Sequence, residues 1–191
     1  LLGRATVFAD MDDKRRAAEA DVQKVFALPQ GVAGKKELAK AHFIMSLILR
    51  ADGKEADAAR NLTAALELDP QNAQFHFMLA RRYVTTREFD KAKASFKKAI
   101  DLDGKKPEFY REFAEMQTAT ADYEGAIQNV TRAMMYLADR DKGPYYLARA
   151  RALRLKKDFK ESQKEISKVL ALNAEDPYAH LEMARLYQDQ G

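Results

Sequence analysis

Residues 58–70 read AARNLTAALELDP, and this stretch decides the fold because close copies of it recur along the chain. Residues 92–104 read AKASFKKAIDLDG and residues 126–134 read AIQNVTRAM, so each copy begins 34 residues after the previous one. A fixed period of this length is typical of proteins built from stacked repeats. A fourth copy around Ile166 follows two residues out of phase, and we place the extra residues in the connection at 139–143, where an insertion costs little.

A second apolar stripe lies upstream of each copy. It begins at His42 and continues with Met45, Ser46 and Leu49, and the same spacing starts again at residues 76, 110, 146 and 180. Residues at i, i+3, i+4 and i+7 share one face of an α-helix, so each stripe predicts a helix with one buried side. Gly53 separates the two stripes of the first unit. The sequence therefore predicts an all-α chain of helix pairs joined by short turns.

The composition narrows the chemistry that is open to this chain. It has no cysteine, which excludes disulfides, thiolate metal sites and cysteine nucleophiles. Its three histidines, His42, His76 and His180, take the same place in their units, which predicts packing roles rather than a metal site. No glycine-rich phosphate loop or nucleophile elbow occurs, so we predict neither an enzyme nor a cofactor. No apolar run reaches the length of a membrane-spanning helix, so we predict no membrane insertion.

The two stripes and their spacing resemble the tetratricopeptide repeat (TPR) family, whose unit is a helix–turn–helix of about 34 residues. The resemblance implies an all-α fold, a right-handed superhelix of antiparallel helix pairs. The units counted in this way are 39–72, 73–106, 107–142 and 143–176. Residues 1–38 are interpreted as a degenerate N-terminal unit with its connection, and residues 177–191 as the first helix of a truncated further unit. The sequence departs from the family pattern at two usually apolar positions, Gln117 and Arg149, and at Ser162, where alanine is usual.

The resemblance implies a scaffold or adaptor that binds a partner protein or peptide in a concave groove lined by the first helices. The apolar and arginine side chains at the groove positions are the candidate partner-binding residues: Phe43, Leu47, Arg50, Phe77, Arg81, Arg111, Leu147, Arg151, Arg154, Leu181 and Arg185. Apolar sockets beside arginines suit a partner segment that is both apolar and acidic, because a guanidinium can hold a carboxylate with two hydrogen bonds. The alternative is that these arginines are solvated or paired with nearby acids, and that the apolar residues pack within the superhelix.

A second hypothesis is a self-associating assembly module, as in TPR components that build bacterial surface machines. Gly191 takes the same turn position as Gly53, so we expect the chain to be a piece of a longer solenoid whose last helix lacks its partner. The apolar residues of that helix cannot then all be covered: Leu181, Met183, Leu186 and Tyr187. This hypothesis predicts a homo-oligomer formed through the uncapped C-terminal end.

The charge pattern bears on two further kinds of partner. The net charge of +4 conceals units of +5 (73–106), −3 (107–138) and +3 (143–176), which could dock a complementary partner or be ordinary surface. Arg81, Arg82 and lysines 91, 93, 97 and 98 form the best candidate nucleic-acid patch. The sequence shows no aromatic stacking platform beside them, so we do not predict a nucleic-acid partner.

One TPR subclass clamps the C-terminal carboxylate of heat-shock chaperones, and the resemblance lets us examine its positions here. They call for lysine, asparagine and arginine side chains. This sequence has Phe43, Leu47, Met78, Glu108 and Glu112 there. The sequence therefore predicts that this clamp is absent.

Overall fold

The computed structural model describes residues 15–29 and 31–191. Those residues form ten α-helices and no strand: α1 (Arg15–Phe26), α2 (Lys35–Ala51), α3 (Glu55–Leu68), α4 (Ala73–Thr85), α5 (Phe89–Leu102), α6 (Pro107–Ala119), α7 (Tyr123–Met134), α8 (Gly143–Leu155), α9 (Phe159–Leu172) and α10 (Pro177–Gln190). The predicted all-α architecture of antiparallel helix pairs is confirmed. Of the predicted leading unit, residues 1–14 and Gln30 lie outside the described residues.

The helices are grouped into two compact units, of which the first ends at Leu79 and the second begins at Ala80. In the first unit α2 packs against both α1 and α3. Its core joins Val22 and Val25 of α1 to Ile44 and Ile48 of α2, all of them buried. The stripe predicted from His42 to Leu49 therefore lies on the helix that carries this core.

In the second unit each helix packs against the next one along the chain, from α5 to α10. The alternate helices α6 and α8 are also in contact, as are α8 and α10. One apolar cluster surrounds Val130 of α7, and another surrounds Ile166 of α9. The two extra residues of the fourth repeat lie at a short 3-10 turn, Asp139–Asp141, just before α8. Because α6, α8 and α10 are neighbours, their side chains can form one continuous surface.

Small residues allow the two helices of a pair to approach closely. Ala92, Ala126 and Ser162 take equivalent places on α5, α7 and α9, and all three are buried. The hydroxyl of Ser162 donates a hydrogen bond to the carbonyl of Ala150 at 2.8 Å. That bond satisfies the additional polar atom, so serine is accepted where the family usually has alanine.

The first helices share a recurring contact with the connection that precedes them. The side chains of His76, Tyr110 and His180 each bond to the carbonyl oxygen six residues earlier, at 2.8–3.0 Å. His42 instead bonds through Nδ1 to the side-chain oxygen of Asn61 at 2.9 Å. His180 is exposed, so the expected packing role does not mean burial there. Each histidine nitrogen that faces an oxygen in these bonds must carry the proton.

Candidate functional site

Arg154 lies inside the helix packing rather than along an open groove. The residue is 8% exposed, and its Nε donates to Glu182 Oε1 at 2.6 Å. A second donor of the same guanidinium bonds to Asp189. Burial alone would lower the pKa of Arg154, but the hydrogen bonds to Glu182 and Asp189 raise it. Arg154 therefore joins α8 to α10, and its Nε and NH1 donors are already engaged by acids of α10.

Two further candidate arginines are paired with acids of the chain itself. Arg81 Nε on α4 lies 3.0 Å from Glu112 Oε2 on α6. Arg111 NH1 lies 2.6 Å from Glu115 Oε1 one turn along α6. Burial raises the pKa of the Tyr145 hydroxyl on α8, and the nearby Arg111 guanidinium opposes that shift. A partner carboxylate would have to replace these internal acids to reach either arginine.

Most of the apolar candidates contribute to the core. Phe43 and Phe77 are 6% and 4% exposed, and the Phe43 ring packs on Phe75 with their centroids 4.8 Å apart. Leu47 and Leu147 are half-buried against the clusters of their own units. Phe43 and Phe77 are therefore buried, and Leu47 and Leu147 half-buried, as in the alternative that these residues pack within the superhelix.

Four of the candidates lie in the first unit, which is described by itself: Phe43, Leu47, Arg50 and Phe77. The half-buried Arg50 lies near the end of α2. Among residues 15–29 and 31–191, no hydrogen bond or ion pair engages its side chain.

Three exposed candidates, Arg151, Leu181 and Arg185, lie on α8 and α10. Together with the half-buried candidate Leu147 and the exposed Tyr178 they define a surface that we call the α8–α10 face. Leu181 is 48% exposed and Tyr178 is 71% exposed. Arg151 is exposed, and no side-chain contact engages it within the part of the chain that is described. The Arg185 guanidinium lies 3.5 Å from Glu182 and is 47% exposed. The face therefore combines apolar surface with cationic donors that are free or weakly engaged.

The comparisons with known proteins agree with this arrangement of helices. Residues 49–111 match the tetratricopeptide repeat family model. This stretch carries tetratricopeptide repeat sequence. The predicted TPR resemblance is thus confirmed, and a search of curated proteins found no match.

Solved structures with the same TPR architecture are similar to this chain. A tetratricopeptide repeat protein from Parabacteroides merdae has a TM-score of 0.77 and 18% identity, over 100% of this chain and 72% of that one. PilW, described as a widely conserved type IV pilus biogenesis factor, has a TM-score of 0.69 and 17% identity, over 80% and 70%. The first TPR of Spaghetti (RPAP3), bound to the HSP90 peptide SRMEEVD, has a TM-score of 0.55 and 21% identity, over 63% and 94%. These likenesses show the fold.

The two polar residues at usually apolar TPR positions, Arg149 and Gln117, each have a partner on the following helix. Arg149 donates through Nε and NH2 to Glu165 Oε2 on α9, at 3.0 and 2.7 Å. Gln117 of α6 accepts from the Asn129 amide of α7 at 2.6 Å. The sequence analysis identified Arg149 and Gln117 as unusual polar residues but did not identify Glu165 and Asn129 as their partners. The available signal was an equally unusual polar residue 12 or 16 positions later on the second TPR helix.

The described residues contain no group of three or more His, Asp or Glu side chains arranged to hold a metal ion. No helix in the described ranges is both long and apolar enough to cross a bilayer.

Proposed function

We propose that this chain is a protein–protein interaction scaffold, and that its second unit binds an apolar, acidic partner segment on the α8–α10 face. The observation that carries the proposal is the exposure of Tyr178 and Leu181 beside Arg185, next to a helix that presents the unengaged Arg151. The apolar side chains would supply most of the affinity, and the arginines would select carboxylates.

The ion pair between α8 and α10 supports this assignment. Arg154 and Glu182 hold the two helices together, and Arg151 lies one turn before the former. Arg185 lies one turn after Glu182 on α10. The two exposed arginines therefore flank one rigid contact, which reduces the entropy lost when a partner binds.

The relatives are consistent with such a role. The similar TPR of Spaghetti (RPAP3) is bound to an HSP90 peptide that contains two glutamates and an aspartate. Our chain lacks the clamp residues expected for a C-terminal carboxylate, so the proposal concerns an internal acidic segment. Of the predicted groove residues, Leu147, Arg151, Leu181 and Arg185 contribute directly. Arg81 and Arg111 would join only if a partner displaced their internal acids.

Selection from a random peptide library, followed by affinity measurement, tests the proposal. We expect the selected peptides to combine apolar residues with Asp or Glu. Replacing Arg151→Ala together with Arg185→Ala should weaken their binding about tenfold or more, because hydrogen bonds to charged groups are lost. The matched control is Arg60→Ala with Arg140→Ala, two arginines that are well exposed elsewhere. Equal affinity in both double variants, or selected peptides without acids, would contradict the proposal.

Self-association is a second candidate, favoured by the exposed apolar side chains Tyr178, Leu181 and Tyr187 on α10. A second copy could cover them, and an assembly role would agree with the likeness to PilW. Light scattering separates this candidate from the first. A dimer that Leu181→Ser with Tyr187→Ser converts to monomer would favour self-association, whereas a monomeric wild type would exclude it.

A further inference from the structure

The outward side of α5 carries four lysines that no role described so far explains. Lys91, Lys93, Lys97 and Lys98 are all exposed, and so is Ala94 among them. With about 3.6 residues per turn, Lys91 and Lys98 lie on one edge of this surface and Lys93 and Lys97 on the other. We call the four residues the lysine face. Alanine between the two edges leaves the surface flat and open to a partner.

Three of the four lysines have no ion pair within the described part of the chain. Among the described residues no hydrogen bond or ion pair engages Lys93, Lys97 or Lys98. Lys91 donates to Glu88 Oε2 at 2.6 Å, and this bond raises the pKa of Lys91. Much of the net positive charge of residues 73–106 is therefore exposed to solvent on this face.

Three of the five acids in residues 107–138 are engaged in ion pairs elsewhere. Glu112 pairs with Arg81, Glu115 with Arg111, and Glu124 with Lys156 at 2.7 Å. The hydrogen bond from Lys156 lowers the pKa of Glu124, so this carboxylate stays charged. Most of the negative charge of residues 107–138 is thus already paired with arginines and lysines of the same chain. A second copy would have few free carboxylates there to offer, which argues against it as the partner of the lysine face.

The equivalent positions of the other second helices do not share this property. On α3 they hold Asp57, Ala59, Thr63 and Ala64. On α7 they hold Gly125, Ile127, Thr131 and Arg132, and on α9 Glu161, Gln163, Ser167 and Lys168. A surface charged only for solubility would not need to concentrate its lysines on one helix. The lysine face is therefore specific to α5.

The extent of the face indicates which polyanion fits it. Lys91 to Lys98 spans about 10 Å along the helix axis. Asp90 and Asp101 are exposed at the two ends of the same side of α5 and would repel a longer anion. A bilayer surface or a nucleic-acid duplex extends well beyond this span, whereas a run of a few Asp or Glu residues does not.

The nearby aromatic ring does not favour single-stranded nucleic acid. Tyr83 is already faced by the Arg82 guanidinium at 5.9 Å and the Lys91 ammonium at 5.6 Å from its ring centroid. A base could stack there only by displacing one of these cations. We propose that the lysine face is a second docking surface, independent of the α8–α10 face, and that it takes a short acidic segment of a protein partner.

Fluorescence anisotropy with a fluorescein-labelled peptide of eight glutamates tests this proposal on the whole chain. The triple variant K93Q/K97Q/K98Q should weaken binding about tenfold or more and reduce its dependence on salt, because charge attraction is lost. The triple variant K93R/K97R/K98R should retain the affinity. The matched control K35Q/K36Q/K160Q removes the same net charge from exposed lysines elsewhere and should change the affinity less than about twofold.

Other outcomes would overturn the proposal. An equal loss in the control variant would show that only net charge matters. Tighter binding of oligothymidylate or of phosphatidylserine vesicles to the lysine face would replace the acidic peptide by a nucleic acid or a membrane. The variant R151A/R185A should leave the glutamate peptide bound, so failure of the lysine face and failure of the α8–α10 face are separate results.

Discussion

At the scale of single residues, Gln117 shows how this fold accommodates a polar side chain at an apolar position. Its Nε2 donates to Asp122 Oδ2 at 2.7 Å, and its Oε1 accepts from Asn129 at 2.6 Å. Asp122 caps α7 by accepting the Gly125 amide at 3.1 Å. Both polar atoms of the buried amide therefore have a hydrogen-bond partner, which removes most of the cost of placing it in the core.

Gly125→Ala tests this network. An alanine Cβ would lie 2.6 Å from Asp122 Oδ2 and even closer to the Gln117 amide nitrogen. Alanine normally stabilises a helix relative to glycine by about 1 kcal/mol. Here we expect a net loss of about 1–2 kcal/mol in the free energy of unfolding, because the cap and the buried amide are displaced. Equilibrium unfolding in urea measures this change in the free energy of unfolding.

The matched control is Gly143→Ala, where an added Cβ meets nothing within 4 Å. This change should leave the stability unchanged or raise it slightly. If Gly125→Ala behaved like the control, the network would not constrain α7.

At the scale of elements, the turns inside the helix pairs share one backbone conformation. Gly53, Arg87, Ala121 and Lys157 all have φ between 61° and 75°. In each turn the next amide donates to a carbonyl five residues earlier, as from Asp122 to Gln117 at 2.8 Å. This left-handed conformation ends a helix, and glycine adopts it most readily. Three of the four turns nevertheless have a residue other than glycine there.

Ala121→Gly should therefore stabilise the protein by about 1 kcal/mol, because the left-handed conformation is strained for alanine. Thermal unfolding should show a higher midpoint. Ala119→Gly, two residues earlier in α6, is the control and should lower stability by about 1 kcal/mol, since its backbone is helical. A loss for both variants would mean that strain at Ala121 is negligible.

The elements themselves could be predicted because their signals are local. The copies at 58–70, 92–104 and 126–134 lie mainly in α3, α5 and α7, and the insertion before α8 is the 3-10 turn. The site was less predictable. Position in the repeat identifies which side chains face a neighbouring helix. Whether the Arg154 guanidinium is free to bind a partner carboxylate depends on Glu182, which lies 28 residues away in the sequence.

At the scale of the whole molecule, each of the two units has an apolar cluster of its own among the described residues. One lies among α1 and α2 around Ile44, and another among α8, α9 and α10 around Ile166. Both isoleucines are fully buried. Repeat proteins are stabilised mainly by contacts between neighbouring repeats, so damage to one cluster should remain local.

Ile166→Ala and Ile44→Ala test this expectation against each other. Each should cost about 2–5 kcal/mol locally, because a buried isoleucine leaves a cavity. In native-state hydrogen exchange, Ile166→Ala should lower the protection of the α8–α10 amides and leave that of the α1–α3 amides unchanged. Ile44→Ala should lower the protection of the α1–α3 amides and leave that of the α8–α10 amides unchanged. Equal loss of protection throughout would indicate a single cooperative core.

The sequence by itself determined the helix pairs, the 34-residue period and the face of each helix that is buried. Those properties follow from the spacing of side chains on a helix, which is local in the chain. Only the tertiary structure decided that Arg154 and Arg149 are ion-paired internally, that Phe43 is in the core, and that Arg151 is exposed. The reason is that a charge or a ring is satisfied by neighbours on other helices, and the repeat period does not specify which neighbours those are.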